Sequence, residues 1–229
     1  MTDWAAHVAR EEARYADGIE RLPEDPDARQ RQLTRTGNAA YGAALALLMQ
    51  DRAAEAAEWF GRAAERYRES FADAPPGSWG RPIGAVKARI LAGDFEAAAD
   101  DARWTLDAGA DVADSPIGRY AAALAHLVLG DYRRARAHAD AIRTRDDFPR
   151  EVGDALAFIS AHDVPGYAVA VDAVLESFER RDEYLEDVPV ADTVLVLQAL
   201  AARRGLPNAG LESDLLPPSP AASAGGRSR

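Results

Sequence analysis

The chain has 229 residues, 48% hydrophobic and 28% charged, which is enough for a sizeable core and unlike the composition of a disordered polymer. It contains no cysteine, which excludes disulfides, thiolate metal sites and a cysteine nucleophile. Its formal net charge of −11 argues against nucleic acid as a partner, because phosphates demand a basic footprint.

Alanine supplies 51 residues and has the highest intrinsic helix propensity, while the long Val, Ile, Thr and aromatic runs that strands need are nearly missing. The expected fold class is therefore all-α. Lys87 is the one lysine, beside 26 arginines, and Asp outnumbers Glu. That balance is expected of a GC-rich gene and of adaptation to a salt-rich cytoplasm, and it equally suits a basic protein partner. The first residues, Met1-Thr2-Asp3-Trp4, have neither a basic nor an apolar leader region, and no apolar run reaches membrane-spanning length. A cytoplasmic, non-membrane protein is expected.

Helical segments with turn punctuation run almost end to end. The first covers about 3–22, with Asp3 as its N-cap, and is broken by Pro23, Asp25 and Pro26. Segments follow at 27–50, 53–72, 82–92, 95–107, 116–129, 132–143, 149–161, 166–185 and 191–204. Pro82, Pro116 and Pro149 suit first turns, where a missing N–H costs nothing. Ser115 suits an N-cap, and Gly93, Gly130 and Gly205 sit just past helix ends, where a left-handed residue is often needed.

Three helix pairs share a pattern. Their turns are Gln50-Asp51-Arg52, Gly93-Asp94-Phe95 and Gly130-Asp131-Tyr132, spaced by 42 and then 37 residues. Alanines recur at fixed offsets behind them: Ala56 and Ala63, with the large Phe60 between, then Ala98 with Ala102 and Ala135 with Ala139. The pattern predicts about ten helices stacked as antiparallel, tetratricopeptide-like hairpins in a superhelix or bundle. One domain is expected over 1–216, and a disordered Pro/Ser/Ala/Gly-rich tail over 217–229.

No phosphate-cradling loop or nucleophile elbow is present. The four histidines are His7, His126, His138 and His162, and none has the H-E-x-x-H spacing of a zinc helix. His7 and Glu11 read as a surface i,i+4 pair. His126 and His138 lie on consecutive helices and read as hinge-proximal polar residues without a ligand. The doublets Asp100–Asp101, Asp146–Asp147 and Glu186–Asp187 read as solvated charge in an acidic chain. Trp59, Phe60 and Tyr67 read as core. No catalytic residue, metal ligand or cofactor is assigned.

Near the C-terminus, Glu183, Glu186 and Asp187 form an acidic stretch before the apolar helix, and they are the candidate partner-binding residues. Asp192 and Arg203–Arg204 suit the two ends of that helix's dipole.

The run 194–206, from Val194-Leu195-Val196-Leu197 to Arg203-Arg204-Gly205-Leu206, followed by Glu212-Ser213-Asp214-Leu215-Leu216-Pro217, resembles the close of the immunity protein 49 family. The stretch Ala39–Tyr67 is also similar to that family's long helical pair, while Pro207-Asn208-Ala209-Gly210 departs from its usual Val/Glu-rich link. The resemblance implies an all-α, non-enzymatic protein that neutralises a cognate toxin by binding it, with a basic toxin as the fitting partner. The competing expectations are a tetratricopeptide-like adaptor for peptide segments and a helical enzyme using buried carboxylates or a histidine–carboxylate metal site.

Overall fold

The structure, a computed structural model, describes residues 2–218. The expected tail at 217–229 lies, from residue 219 on, outside the described residues. The described residues form ten α-helices: α1 (Trp4–Glu20), α2 (Pro26–Leu48), α3 (Ala53–Phe71), α4 (Gly80–Leu91), α5 (Phe95–Asp107), α6 (Pro116–Leu129), α7 (Tyr132–Ile142), α8 (Arg150–Ala161), α9 (Val164–Glu179) and α10 (Asp192–Arg203). Single 3₁₀ turns occur at Ala110–Val112 and Leu185–Asp187. None of the described helices is long and apolar enough to cross a membrane.

The helix starts follow the local chemistry. Asp3, Asp25, Asp94, Ser115, Asp131 and Asp163 each accept a hydrogen bond from a first-turn N–H. Such a cap stabilises its helix by about 1 kcal/mol. Pro116 occupies the first turn of α6 as expected. Pro82 is the third residue of α4, and Pro149 stands just before α8. The segment expected over 166–185 instead begins at Val164 and ends at Glu179. The next residues, Arg180 to Glu183, are all charged, so a continued helix would have no apolar face to bury.

Helices adjacent in sequence pack against one another throughout, giving the hairpins α2/α3, α4/α5, α6/α7 and α8/α9. The first helices of successive hairpins also touch, α4 with α6 and α6 with α8. The hairpin turns share one device. Asp51, Gly93, Gly130 and His162 all have positive φ, and Asp94, Asp131 and Asp163 cap the helix that follows each of the last three. Five and nine residues beyond that left-handed residue lie Ala56 and Phe60, Ala98 and Ala102, Ala135 and Ala139, Tyr167 and Val171, all buried. Twelve residues beyond lie Ala63, Thr105, Ile142 and Val174, also buried. The fourth hairpin thus repeats the arrangement with large residues where the first three mostly have alanine.

After α9 the chain turns back over the stack. Val188 and Val190 enter the core formed with α1 to α4, and α10 packs on α4, α8 and α9. The Ala191 amide donates to the Leu215 carbonyl at 2.9 Å, so the closing segment is held beside the start of α10.

Candidate functional site

The face of α2 that turns toward α4 carries Thr34, Asn38 and Tyr41, at helical spacing. α4 answers with Ile83, Gly84 and Lys87. Between the two helices passes the ring of Tyr67, from α3. A Cβ added to Gly84 would lie 2.7 Å from this ring, and one added to Gly37 would lie 3.0 Å from it. The two glycines thus form a slot for the ring, and the Tyr67 hydroxyl donates to Asn38 Oδ1 at 2.9 Å.

These residues line a cleft of about 440 Å³, together with Trp79, Arg81, Ile117, Leu185 and Asp192. Its floor is an ion pair. Lys87 Nζ donates to Asp192 Oδ2 at 2.6 Å and to Thr193 Oγ1 at 3.2 Å, and the Tyr41 hydroxyl donates to Asp192 Oδ2 at 2.9 Å. Burial and the adjoining Asp192 carboxylate push the Tyr41 hydroxyl well above its ordinary pKa, so it remains a donor. Burial alone would raise the Asp192 carboxyl, but Lys87 and Tyr41 outweigh it and the pKa falls below the usual value. Arg81 is held by the neutral groups of Thr34, at 3.0 Å, and Gln30. Burial lowers its pKa.

A second cleft, of about 430 Å³, meets the first at Ile117. Tyr120, Phe148, Val152 and Phe178 give it an apolar wall, and Thr193, beside Asp192, closes it. Together the clefts make a groove along the first helices of the hairpins, over the N-terminus of α10. Ile117, where the clefts meet, and Leu185, on the lining of the first, stand 42% and 45% exposed, among the few large apolar side chains that the fold leaves in water.

The acidic stretch proves mixed. Glu183 and Asp187 are exposed, but Glu186 is half-buried, bonds Arg14 through its side chain, and accepts from Arg10 through its carbonyl. Arg14 also donates to Glu11 at 2.9 Å. Glu11 is fully buried, with Arg10 at 2.7 Å, so the expectation of a surface His7–Glu11 pair is corrected: its true partners are the two arginines. The expectation of a solvated Asp100–Asp101 doublet is corrected too. Asp101 is 2% exposed and lies between Arg68 and Arg89, because α5 turns this residue toward α3 and α4. Asp146 and Asp147 are exposed as expected, and Glu186 is the member of its doublet that is drawn inward. Asp192 stands in the first turn of α10, as its fit to the helix dipole implies, and its side chain, 15% exposed, also serves the Lys87 pair.

His126 and His138 come face to face, with ring centroids 5.6 Å apart and planes at 13°. Both Nε2 atoms converge on Asp111 Oδ1, at 2.6 and 3.1 Å. Hydrogen bonding to His126 and then His138 holds the Asp111 carboxyl below its usual pKa, against the opposing effect of burial. Asp111 was not singled out from sequence, since it stands 15 and 27 residues from the histidines on a turn of its own. No protein-family model, curated protein or solved structure matches the chain.

Proposed function

We propose that this chain is a non-enzymatic protein-binding module that grips a segment of one partner polypeptide in the groove centred on Ile117. The observation that carries this reading is the exposure of Ile117, where two apolar-walled clefts meet, and of Leu185, on the lining of the first. Apolar and aromatic anchors in a concave site are the usual source of binding energy in protein interfaces. Lys87 and Asp192 satisfy each other, so they shape the floor without demanding a charged ligand. Arg81 has only neutral partners among the described residues and offers its charge to one carboxylate of the bound segment.

The resemblance to the immunity protein 49 family makes a toxin the favoured partner. Exposed Glu183 and Asp187, on either side of Leu185, leave acidic charge at the groove's rim to steer a basic partner. The adaptor reading takes second place, because α10 and the strand-like run through Val188 and Val190 fill the middle of the face where a tetratricopeptide-like array would hold peptides.

The test is capture from the source organism's lysate, read by mass spectrometry, with wild type beside Ile117→Asp and Arg81→Gln. One stoichiometric polypeptide that both substitutions release supports the proposal. Many substoichiometric partners favour the adaptor, and retention of a single partner by both variants overturns the placement in the groove.

A further inference from the structure

We propose that Asp111, His126 and His138 form a binding site for one zinc ion, which clips the link between α5 and α6 to the α6/α7 hairpin. The site is assembled from three separate elements. Asp111 sits in the 3₁₀ turn Ala110–Val112, which is entered through Gly109 at φ 98° and anchored by fully buried Ala110. His126 lies in the last turn of α6 and His138 near the end of α7. The tight turn at Gly130 folds these helices back on each other and brings the two imidazoles into register.

The donor atoms already converge. One oxygen and two ring nitrogens lie within 4.8 Å of one another, and both nitrogens aim at the same carboxylate oxygen. Zinc bonds histidine nitrogen and carboxylate oxygen at roughly 2.0–2.2 Å, which places neighbouring ligands of a tetrahedron about 3.3 Å apart. The present separations of 2.6 and 3.1 Å reach that spacing if the carboxylate retreats by about 0.7 Å from His126 and about 0.2 Å from His138. It is free to do so, because Asp111 is on a short turn with its side chain 38% exposed, while the histidine side chains are 2% and 10% exposed. The same exposure admits water to the fourth position, as in zinc sites with three protein ligands.

Two features bear on competition for the site. Arg134 Nη1 is 3.9 Å from Asp111 Oδ2, but its side chain is 57% exposed and it also pairs with Asp131 at 3.6 Å, so it can turn away. His138 Nδ1 has no hydrogen-bond partner among the described residues, so zinc on Nε2 leaves the Nδ1 proton without a protein acceptor, a cost that the metal bonds must outweigh. Imidazole with carboxylate and no sulfur suits zinc among the borderline divalent metals. The site is independent of the groove, and its failure would leave the protein-binding proposal untouched.

The experiment uses untagged, chelator-stripped protein dialysed against zinc chloride. Bound zinc is measured by elemental analysis, coordination by the visible spectrum after cobalt substitution, and stability by thermal melting. The expected result is one zinc per chain, an intense four-coordinate cobalt spectrum and a raised melting temperature. His138→Gln and Asp111→Asn are expected to weaken binding at least tenfold, whereas His162→Gln, at an exposed turn, is expected to bind as wild type. Asp111→Asn, on a partly exposed turn, keeps the test valid if His138→Gln fails to fold. Less than a tenth of a zinc per chain, or equal binding by wild type and Asp111→Asn, overturns the proposal.

Discussion

The Lys87 ammonium sits 2.6 Å from the Asp192 carboxylate and joins α4 to the start of α10 across 105 residues of chain. With side chains only 12% and 15% exposed, the pair is largely shielded from water. Removing one partner of a buried pair strands the other charge and costs about 3–5 kcal/mol. Residual exposure places Lys87→Met toward the lower figure, about 3 kcal/mol by urea denaturation. A double substitution with Asp192→Asn is expected to cost less than the sum of the single ones. Strict additivity would show that the two groups do not interact.

The same pair sets part of the acid sensitivity. Asp192's pKa is depressed in the fold, so its contribution is present above the unfolded value, about 3.9, and lost as pH falls through the folded value. Asp101 has the opposite sign. Burial raises its pKa against Arg68 and Arg89, so its contribution is largest below the unfolded value and declines as pH rises through the folded one. Stability measured from pH 6 downward is therefore expected to fall more gently below about pH 4 in Asp192→Asn than in wild type. An unchanged slope would remove Asp192 from the account.

Tyr67 tests the slot between α2 and α4. Alanine in place of a helical glycine ordinarily gains about 1 kcal/mol. At Gly84 the new Cβ would meet a buried aromatic ring at 2.7 Å, and overpacking of this kind costs about 1–3 kcal/mol. The ring cannot swing aside without leaving Asn38 and closing on the cleft. Gly84→Ala is thus expected to be destabilising by about 1 kcal/mol net, and a gain in melting temperature would show that the slot is loose.

Much of the fold was legible because its signals are local. Caps at Asp3 and Ser115 and turns at Asp51, Gly93 and Gly130 each depend on residues a few positions apart. The break after residue 161 was legible, but not its kinship with the other three turns, because Tyr167 and Val171 replace the alanines behind it. The groove and the histidine cluster were not legible, since Lys87 with Asp192, and Asp111 with His138, are brought together only by the stacking of hairpins. The acidic stretch was visible as charge, but the burial of Glu186 against Arg14 depends on where the returning chain meets α1.

The left-handed turn residues make a graded prediction. A non-glycine residue at positive φ costs about 1–2 kcal/mol, while glycine gives back roughly 0.5–1 kcal/mol through the unfolded chain. His162→Gly is therefore expected to stabilise by about 0.5 kcal/mol, and Gly130→Ala to destabilise by about 1 kcal/mol with no steric contact involved. Chemical denaturation of both variants checks the sign. If His162→Gly is destabilising, the histidine makes an interaction in that turn beyond its backbone conformation.

Glu186 separates a binding role from a structural one within the acidic stretch. Glu183→Lys and Asp187→Lys alter exposed charge and are expected to change stability by less than about 0.5 kcal/mol. Glu186→Lys instead places a cation against Arg14, which already bridges to buried Glu11, and against the neighbouring Arg10. It is expected to cost about 2 kcal/mol, through repulsion and the release of the Leu185–Asp187 turn from α1 and α2. The turn carries Leu185 into the groove, so Glu186→Lys should also weaken partner binding, with the loss following the fraction of turn released in hydrogen exchange. If Glu183→Lys and Asp187→Lys weaken binding at unchanged stability, the exposed carboxylates contact the partner directly. If only Glu186→Lys weakens it, the acidic stretch acts by holding Leu185 in place.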